Sequence, residues 1–239
     1  MIYVVGLGPG GAAEITPRAL SALKKCDLII GYKVYVDLIR PIFGGEKELI
    51  VSPMKKERDR CEEALRLSLS GRTVGLISSG DPGIYGMAGI MLEVAGGRTE
   101  VEIIPGITAA SSAAAILGSP LTCDFAVLSL SDLLTPWETV TKRLRAAASA
   151  DMVICLYNPA SNSRPEHLAR AADILMETLP ADRPAGWVRS AGREGQERRV
   201  TTLGALKNQD IDMFCTVIIG NSVTRVIDGY LVTPRGYRE

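Results

Sequence analysis

Three turns in this sequence have the composition to hold a small molecule against bare backbone. "GLGPGG" spans residues 6–11, "SSGDPGIYGMAG" spans 78–89 and "IPGITAAS" spans 104–111, and each follows or closes an apolar run. Gly6, Gly8 and Gly11 formally spell G-x-G-x-x-G, the fingerprint of a dinucleotide-binding turn. Three features exclude that chemistry. A dinucleotide loop runs straight into its helix so that the first amides meet the pyrophosphate, but here the helix signal, Thr16-Pro17, comes five residues past Gly11. Pro9 removes an N–H that a phosphate would need. The acidic residue expected at the end of the second strand is missing, because "DLIIGY" begins with Asp27 and ends in Gly31-Tyr32. The first turn is then either a tight post-strand turn or a stiff loop that brings backbone close to a ligand without phosphate.

The second turn surrounds one acid, Asp81, with glycines and a proline. Asp81 reads either as a turn residue or as a carboxylate aimed at a polar or cationic ligand at the C-terminal ends of the strands, where α/β sheets bind their ligands. One such turn would mean little; three at one sheet edge make a cofactor-site pattern.

Other chemistries find little support. Lys+Arg and Asp+Glu number 27 each, so the formal net charge is zero, which weighs against a nucleic-acid binder. Cys26, Cys61, Cys123, Cys155 and Cys215 are scattered with no C-x-x-C pair, and His167 is the only histidine, so no zinc or iron–sulfur site is expected. The thiols read as reduced and mostly buried. His167, in "RPEHLARAADIL", reads as a solvent-facing helix residue. No apolar run approaches the roughly 18 residues of a membrane span, and the N-terminus enters a strand-like run without a basic leader, so a cytoplasmic protein with no membrane partner is expected.

The elements that must position these turns alternate. "IYVVGL", "DLIIGY", "ELIVS", "TVGLISS" and "VEIIPG" are near-continuous apolar runs rich in Val and Ile, the pattern of strands buried on both faces. Between them "PRALSALKKC", "KKERDRCEEALRLSLSG" and "YGMAGIMLEVA" carry helical spacing, with Thr16-Pro17 as N-cap and first helical residue and Gly71 and Gly96 as stops. That alternation predicts a mostly parallel α/β sheet. A small-residue helix around "ITAASSAAAIL" is broken by "GSPLT", placing the domain boundary near 120: residues 1–120 form an N-terminal α/β domain and 121–239 a C-terminal α/β domain richer in extended segments, with a mixed sheet.

The motifs "VGLGPG", "SSGDPGIYG" and "PGITAASSAAAILGSPL" resemble those of the tetrapyrrole methylase family, which transfers methyl groups from S-adenosylmethionine. The resemblance runs along the whole chain and implies a two-domain α/β homodimer holding the cofactor in a cleft between domains. Adenosylmethionine carries a sulfonium and no phosphate, which accounts for Pro9. "GYKVYVDLI", "SLSDLLTPWE", "LYNPASNSR", "RSAGREGQE", "VIIGNS" and "VTPRGY" resemble one subgroup that acts in cobalamin biosynthesis, methylating C17 of precorrin-3B, or of its cobalt counterpart cobalt-factor III, with contraction of the macrocycle. Carried over, the resemblance assigns Pro9, Ser79, Gly80, Asp81, Ile84, Thr108, Ala109 and Tyr157 to the cofactor, with Ser190 and Ala191 where many relatives read "NGT" and this chain reads "SAG". The alternatives are a methylase acting at another ring carbon and a non-catalytic tetrapyrrole carrier.

Methyl transfer from a sulfonium needs positioning and exclusion of water more than a base. Ring contraction moves protons, where an acid or base helps. Asp132, with Ser129, Ser131 and Glu138 nearby, is the candidate, unless Asp132 and Thr135 merely cap the helix starting at Pro136. A substrate bearing several carboxylates calls for cations; Lys33, Lys55, Lys56, Arg193 and Arg235 are the candidates, the two arginines favoured because they lie in glycine-containing loops.

Overall fold

A computed structural model describes residues 1–53 and 56–237. The chain divides into two compact units, Met1–Ala109 and Ala110–Glu239.

In the first unit, β1 (Ile2–Gly6), β2 (Leu28–Tyr32), β3 (Glu48–Ser52), β4 (Val74–Ser78) and β5 (Val101–Ile104) form one sheet in the order β3-β2-β4-β1-β5. Every pairing is parallel. Helices α1 (Pro17–Lys25) and α2 (Lys33–Phe43) cover one face, and α3 (Glu57–Leu69) and α4 (Ala88–Ala95) supply the core of the other. Helices on both faces explain why β1 and β4 are buried at every position. Alternate residues divide between two cores: Val74 and Leu76 pack with Cys61, Ala64 and Met91, whereas Ile77 packs with Leu23, Val36 and Phe43.

The expected start of α1 is present: Thr16 accepts a hydrogen bond from the Ala19 amide at 3.1 Å, and Pro17 occupies the first turn. Helix α2 was not legible in the sequence. Its opening "KVYV" is β-branched and aromatic and it contains Pro41, signals that point away from helix. Burial of Val36, Ile39 and Phe43 against the sheet overrides them.

The second unit is built on a mixed sheet, the architecture the sequence predicts. Strands β7 (Phe125–Ser129), β8 (Val153–Tyr157), β9 (Pro184–Arg189), β10 (Glu197–Thr202) and β11 (Cys215–Ile219) lie in the order β10-β9-β11-β8-β7. Only β7 and β8 pair in parallel. Helices α6 (Trp137–Ser149) and α7 (His167–Met176) pack on one face. The other face is covered by α5 (Ala109–Leu117), whose Ala110, Ala113, Ala114 and Leu117 meet Val153, Cys155, Val188 and Ile218. A small three-stranded sheet joins β6 (Gly118–Ser119) to β12 (Arg225–Ile227) and β13 (Tyr230–Val232). The division between units falls after Ala109, the first residue of α5. The small side chains of α5 match the second sheet, a tertiary preference that the turn signals after it do not carry.

Candidate functional site

The three glycine-rich turns meet at the C-terminal edge of the first sheet, because β1, β4 and β5 are parallel neighbours around β1. The first two are tied by a backbone bridge: the Gly8 amide donates to Gly80 O at 3.2 Å and the Gly80 amide to Gly8 O at 2.8 Å. Gly8 and Gly80 hold φ of +74° and +61°, a left-handed conformation that glycine adopts without a steric penalty. The approach leaves no room for side chains. A Cβ on Gly106 would lie 2.2 Å from Gly80 O, and one on Gly6 would lie 2.6 Å from the same oxygen and 2.7 Å from Gly106 N.

Asp81 locks the arrangement. One carboxylate oxygen accepts the Gly83 amide at 2.8 Å and the other the Gly106 amide at 3.1 Å, so the second turn clips itself to the third. A carboxylate has about four acceptor sites, which leaves capacity for a ligand donor. Pro9 is buried, Ser79, Thr108 and Ala109 are half-buried, and Ile84 is exposed. The helix after the first turn begins only at Pro17, after a short 3-10 segment at Ala12–Glu14, so its N-terminus does not present its amides at Gly6–Gly8, as a dinucleotide turn would require.

In the second unit, Tyr157 ends β8, and its hydroxyl accepts the Ala110 amide at 2.7 Å, capping the first turn of α5. Ser190 follows β9 with φ of +50°, and its amide donates to Phe214 O at 3.1 Å. Ala191 beside it is buried. Arg189 holds this corner from below, with Glu197 at 3.1 Å and Asp212 at 3.3 Å.

Asp132 caps nothing. Helix α6 begins at Trp137 after Pro136, with no side-chain cap. Asp132 is instead bound to His167, whose Nε2 lies 3.0 Å from Asp132 Oδ2. The reading of His167 as a surface residue is therefore corrected: it is 7% exposed. It shares the buried face of α7 with Ala171, four residues on, and its ring stands edge-on to Trp137 at 4.6 Å. Arg164 completes the cluster, its Nε 3.9 Å from Asp132 Oδ1 and its Nη1 donating to Leu130 O at 3.4 Å. The hydrogen bond from His167 is the main cause that holds the Asp132 carboxyl below its ordinary range, with the Arg164 charge adding to it. Asp132 is thus ionised at neutral pH, an acceptor of protons and hydrogen bonds. Ser131 donates its amide to Ser129 Oγ at 3.2 Å, and Asn158 Nδ2 reaches the same oxygen at 3.0 Å. Glu138 stands exposed in the first turn of α6, where a carboxylate suits the helix dipole; no hydrogen bond or ion pair among the described residues joins it to Asp132. Arg164 was not singled out in the sequence and His167 was read as solvent-facing, although the i, i+4 apolar spacing that begins at His167 marks the buried face.

The cationic candidates are dispersed. Lys33 is exposed and bound to Asp37 at 2.6 Å, Lys56 pairs with Asp59 at 2.9 Å, Arg193 is half-buried in the loop after Ser190, and Arg235 is exposed. Lys55 lies outside the described residues. Four of the five cysteines, Cys26, Cys61, Cys155 and Cys215, are buried and reduced, with Cys123 half-buried.

Known proteins with similar sequences and folds place this geometry. The family described as Tetrapyrrole (Corrin/Porphyrin) Methylases matches residues 1–207. A protein of Salmonella typhimurium named a probable cobalt-factor III C(17)-methyltransferase is 48% identical over 240 residues, covering 99% of each chain. A precorrin-3B C(17)-methyltransferase from Sinorhizobium sp is 39% identical over 247 residues, covering 99% of this chain and 96% of its own. The crystal structure of the methyltransferase CobJ is 38% identical and superposes with a TM-score of 0.92 over 98% of this chain and 99% of its own. With a family match over most of its length and full-length relatives of this identity, the chain belongs to the tetrapyrrole methylases and is a methyltransferase.

Proposed function

We propose that this protein transfers the methyl group of S-adenosylmethionine to C17 of a cobalamin precursor, cobalt-factor III or its metal-free counterpart precorrin-3B, with contraction of the macrocycle. The observation that carries the reading is the 48% identity, over 99% of both chains, to a relative named for C17 methylation of cobalt-factor III. The cobalt-bearing substrate ranks first because the relative named for precorrin-3B is less similar, at 39%.

The residues present suit adenosylmethionine. The turns at the edge of the first sheet present glycine and proline backbone, packed so closely that no Cβ fits at Gly6 or Gly106, and the helix after the first turn starts too late to bind a phosphate there. A ligand that carries a sulfonium and no phosphate matches such a site better than a dinucleotide. When bound, adenosylmethionine supplies an activated methyl carbon on a good leaving group. The protein's part is to hold reactants in line and keep water out. Pro9, Ser79, Gly80, Asp81, Ile84, Thr108 and Ala109 are the proposed cofactor contacts of the first unit, Asp81 also bracing the loops by accepting the Gly83 and Gly106 amides. For the second unit the proposal assigns Tyr157, Ser190 and Ala191 to the cofactor.

Asp132 is the proposed proton acceptor or hydroxyl-orienting group during ring contraction, with its geometry held by His167 and Arg164 and with Ser131 beside it. Its depressed pKa keeps it ionised, which opposes a proton donor and suits a hydrogen-bond acceptor that orients a hydroxyl, while making it a weak base. Glu138 is retained as a second, solvent-facing acid. Arg193, Arg235, Lys33 and Lys55 are proposed to meet the substrate carboxylates, Lys33 after exchanging Asp37. A homodimer is proposed from the family resemblance.

The test is anaerobic incubation with adenosylmethionine and, in separate tubes, cobalt-factor III and precorrin-3B, followed by mass and visible absorption. A gain of one methyl with loss of the starting chromophore is expected, faster with the cobalt substrate. No methyl gain in either tube, with S-adenosylhomocysteine binding demonstrated, refutes the C17 assignment.

A further inference from the structure

Two buried side chains of the first unit each keep a polar atom without a hydrogen-bond partner, Arg60 its Nε and Ser78 its hydroxyl, and they share one face and one edge of its sheet. Ser78 ends β4; in the alternation Val74, Leu76, Ser78 it faces the side covered by α3 and α4. It is 5% exposed and its hydroxyl bonds to nothing. Arg60 lies in the first turns of α3, which follows β3 and therefore starts at the same C-terminal edge. It is 4% exposed. Its Nη2 donates to Pro53 O at 3.0 Å and its Nη1 reaches Met87 Sδ at 3.7 Å, just ahead of α4, while its Nε is unpartnered.

The surrounding acids do not answer this charge. Helix α3 is dense in carboxylates, yet Asp59 is bound to Lys56, Glu62 to Arg58 and Glu63 to Arg66, all on its solvent side. Among the described residues no carboxylate pairs with Arg60. A buried guanidinium without a counter-ion is a costly arrangement, and so is a buried hydroxyl without a hydrogen bond. One carboxylate would satisfy both, accepting from the planar guanidinium and from the hydroxyl.

We propose that Arg60 and Ser78 form a buried carboxylate-binding subsite at the ligand edge of the first sheet. The inference rests on the proposed function for the two possible sources of that carboxylate, the amino-acid end of the cofactor or an acetate or propionate arm of the macrocycle. Either is a flexible arm.

The test compares wild type, Ser78→Ala and Arg60→Lys. Each is unfolded thermally without ligand, then titrated with S-adenosylhomocysteine, with its decarboxylated analogue and with uroporphyrin III, a tetrapyrrole octacarboxylate. Ser78→Ala is expected to unfold at the wild-type temperature or above, since it removes an unpartnered hydroxyl, and yet to bind one carboxylate probe roughly tenfold more weakly. Arg60→Lys keeps the charge but loses the fork, and should weaken the same probe. A loss for S-adenosylhomocysteine but not for its decarboxylated analogue identifies the cofactor arm; a loss confined to uroporphyrin identifies the macrocycle arm. Unchanged affinity for both probes in Ser78→Ala overturns the subsite and leaves the two groups to an enclosed water. A wild-type protein that binds neither probe overturns the functional reading itself, and the subsite with it.

Discussion

Replacing Gly106 by alanine tests whether the three turns are packed as tightly as the geometry indicates. The added Cβ would sit 2.2 Å from Gly80 O and 2.8 Å from both the carbonyl carbon and oxygen of Gly6. All of these are backbone atoms, so no rotamer change relieves the clash and the turns must move apart by an ångström or more. The same displacement stretches the Gly106–Asp81 bond, now 3.1 Å, and the Gly8–Gly80 pair. Overpacking costs about 1–3 kcal/mol, and each of the three weakened hydrogen bonds adds about 1 kcal/mol, so Gly106→Ala should lose roughly 4–6 kcal/mol. The matched control is Gly89→Ala in the first turn of α4, where a new Cβ meets nothing within 4 Å; there alanine should be neutral or stabilising by up to about 1 kcal/mol. Urea unfolding of both variants measures the difference, and calorimetric titration with S-adenosylhomocysteine reports whether the displaced turns still bind. A Gly106→Ala protein as stable as the Gly89→Ala control, with wild-type binding, would refute both the close packing and its role in holding the cofactor.

Tyr157→Phe removes the hydroxyl that accepts the Ala110 amide; it should cost about 1 kcal/mol and speed hydrogen exchange in the first turn of α5, and unchanged exchange would show that the hydroxyl does not cap that helix. His167→Ala frees Asp132, whose carboxyl should then titrate closer to its ordinary value of 3.8. A depressed carboxylate pKa contributes stability above the unfolded value that is lost as pH falls through the folded one, so the destabilisation by His167→Ala should be larger at pH 7 than at pH 3; equal losses at both pH values would mean that the Asp132–His167 bond carries no charge-dependent stability. Burial pushes the thiols of Cys26, Cys61 and Cys155 up to about 12 and that of Cys215 to about 11. Raised folded-state values stabilise fully below the unfolded pKa near 9 and progressively less above it, so stability should fall by several kcal/mol, as an order of magnitude, between pH 9 and pH 12. Replacing Cys155 by Ser, whose hydroxyl does not titrate there, should flatten part of that decline in a chemical-denaturation series, and an unaltered slope would refute the assignment to buried thiols.

Much of the site was legible because its parts are local. Thr16 followed by Pro17 specifies a helix start within four residues, and that start alone places the helix too far from Gly8 for a phosphate. The apolar runs ending in Gly6, Ser78 and Ile104 specify buried parallel strands, and parallel strands put their following loops at one edge. Composition therefore pointed to the sheet edge where the three turns meet. Neither α2 nor the side chains' partners could be read in this way. Residues 33–43 are poor helix formers, made helical by the sheet they cover. Asp81 looked free to meet a ligand until the fold brought the Gly106 amide to it across 25 residues.

Pairings across long separations were decided by tertiary structure alone. Asp132 and His167 are 35 residues apart and Tyr157 and Ala110 are 47 apart. No periodicity encodes such distances, because they depend on which strand order the sheet adopts and which face each helix covers. The same holds for Arg60, with which no carboxylate among the described residues forms an ion pair although its helix carries several, and for α5, whose small residues specify close packing without saying against which sheet. Periodicity and turn chemistry are properties of neighbouring residues, so the sequence determined most of the elements and the sheet edge where the three turns gather. Which polar groups pair there, and which stay unpaired, depends on contacts between distant segments, and only the folded chain decided it.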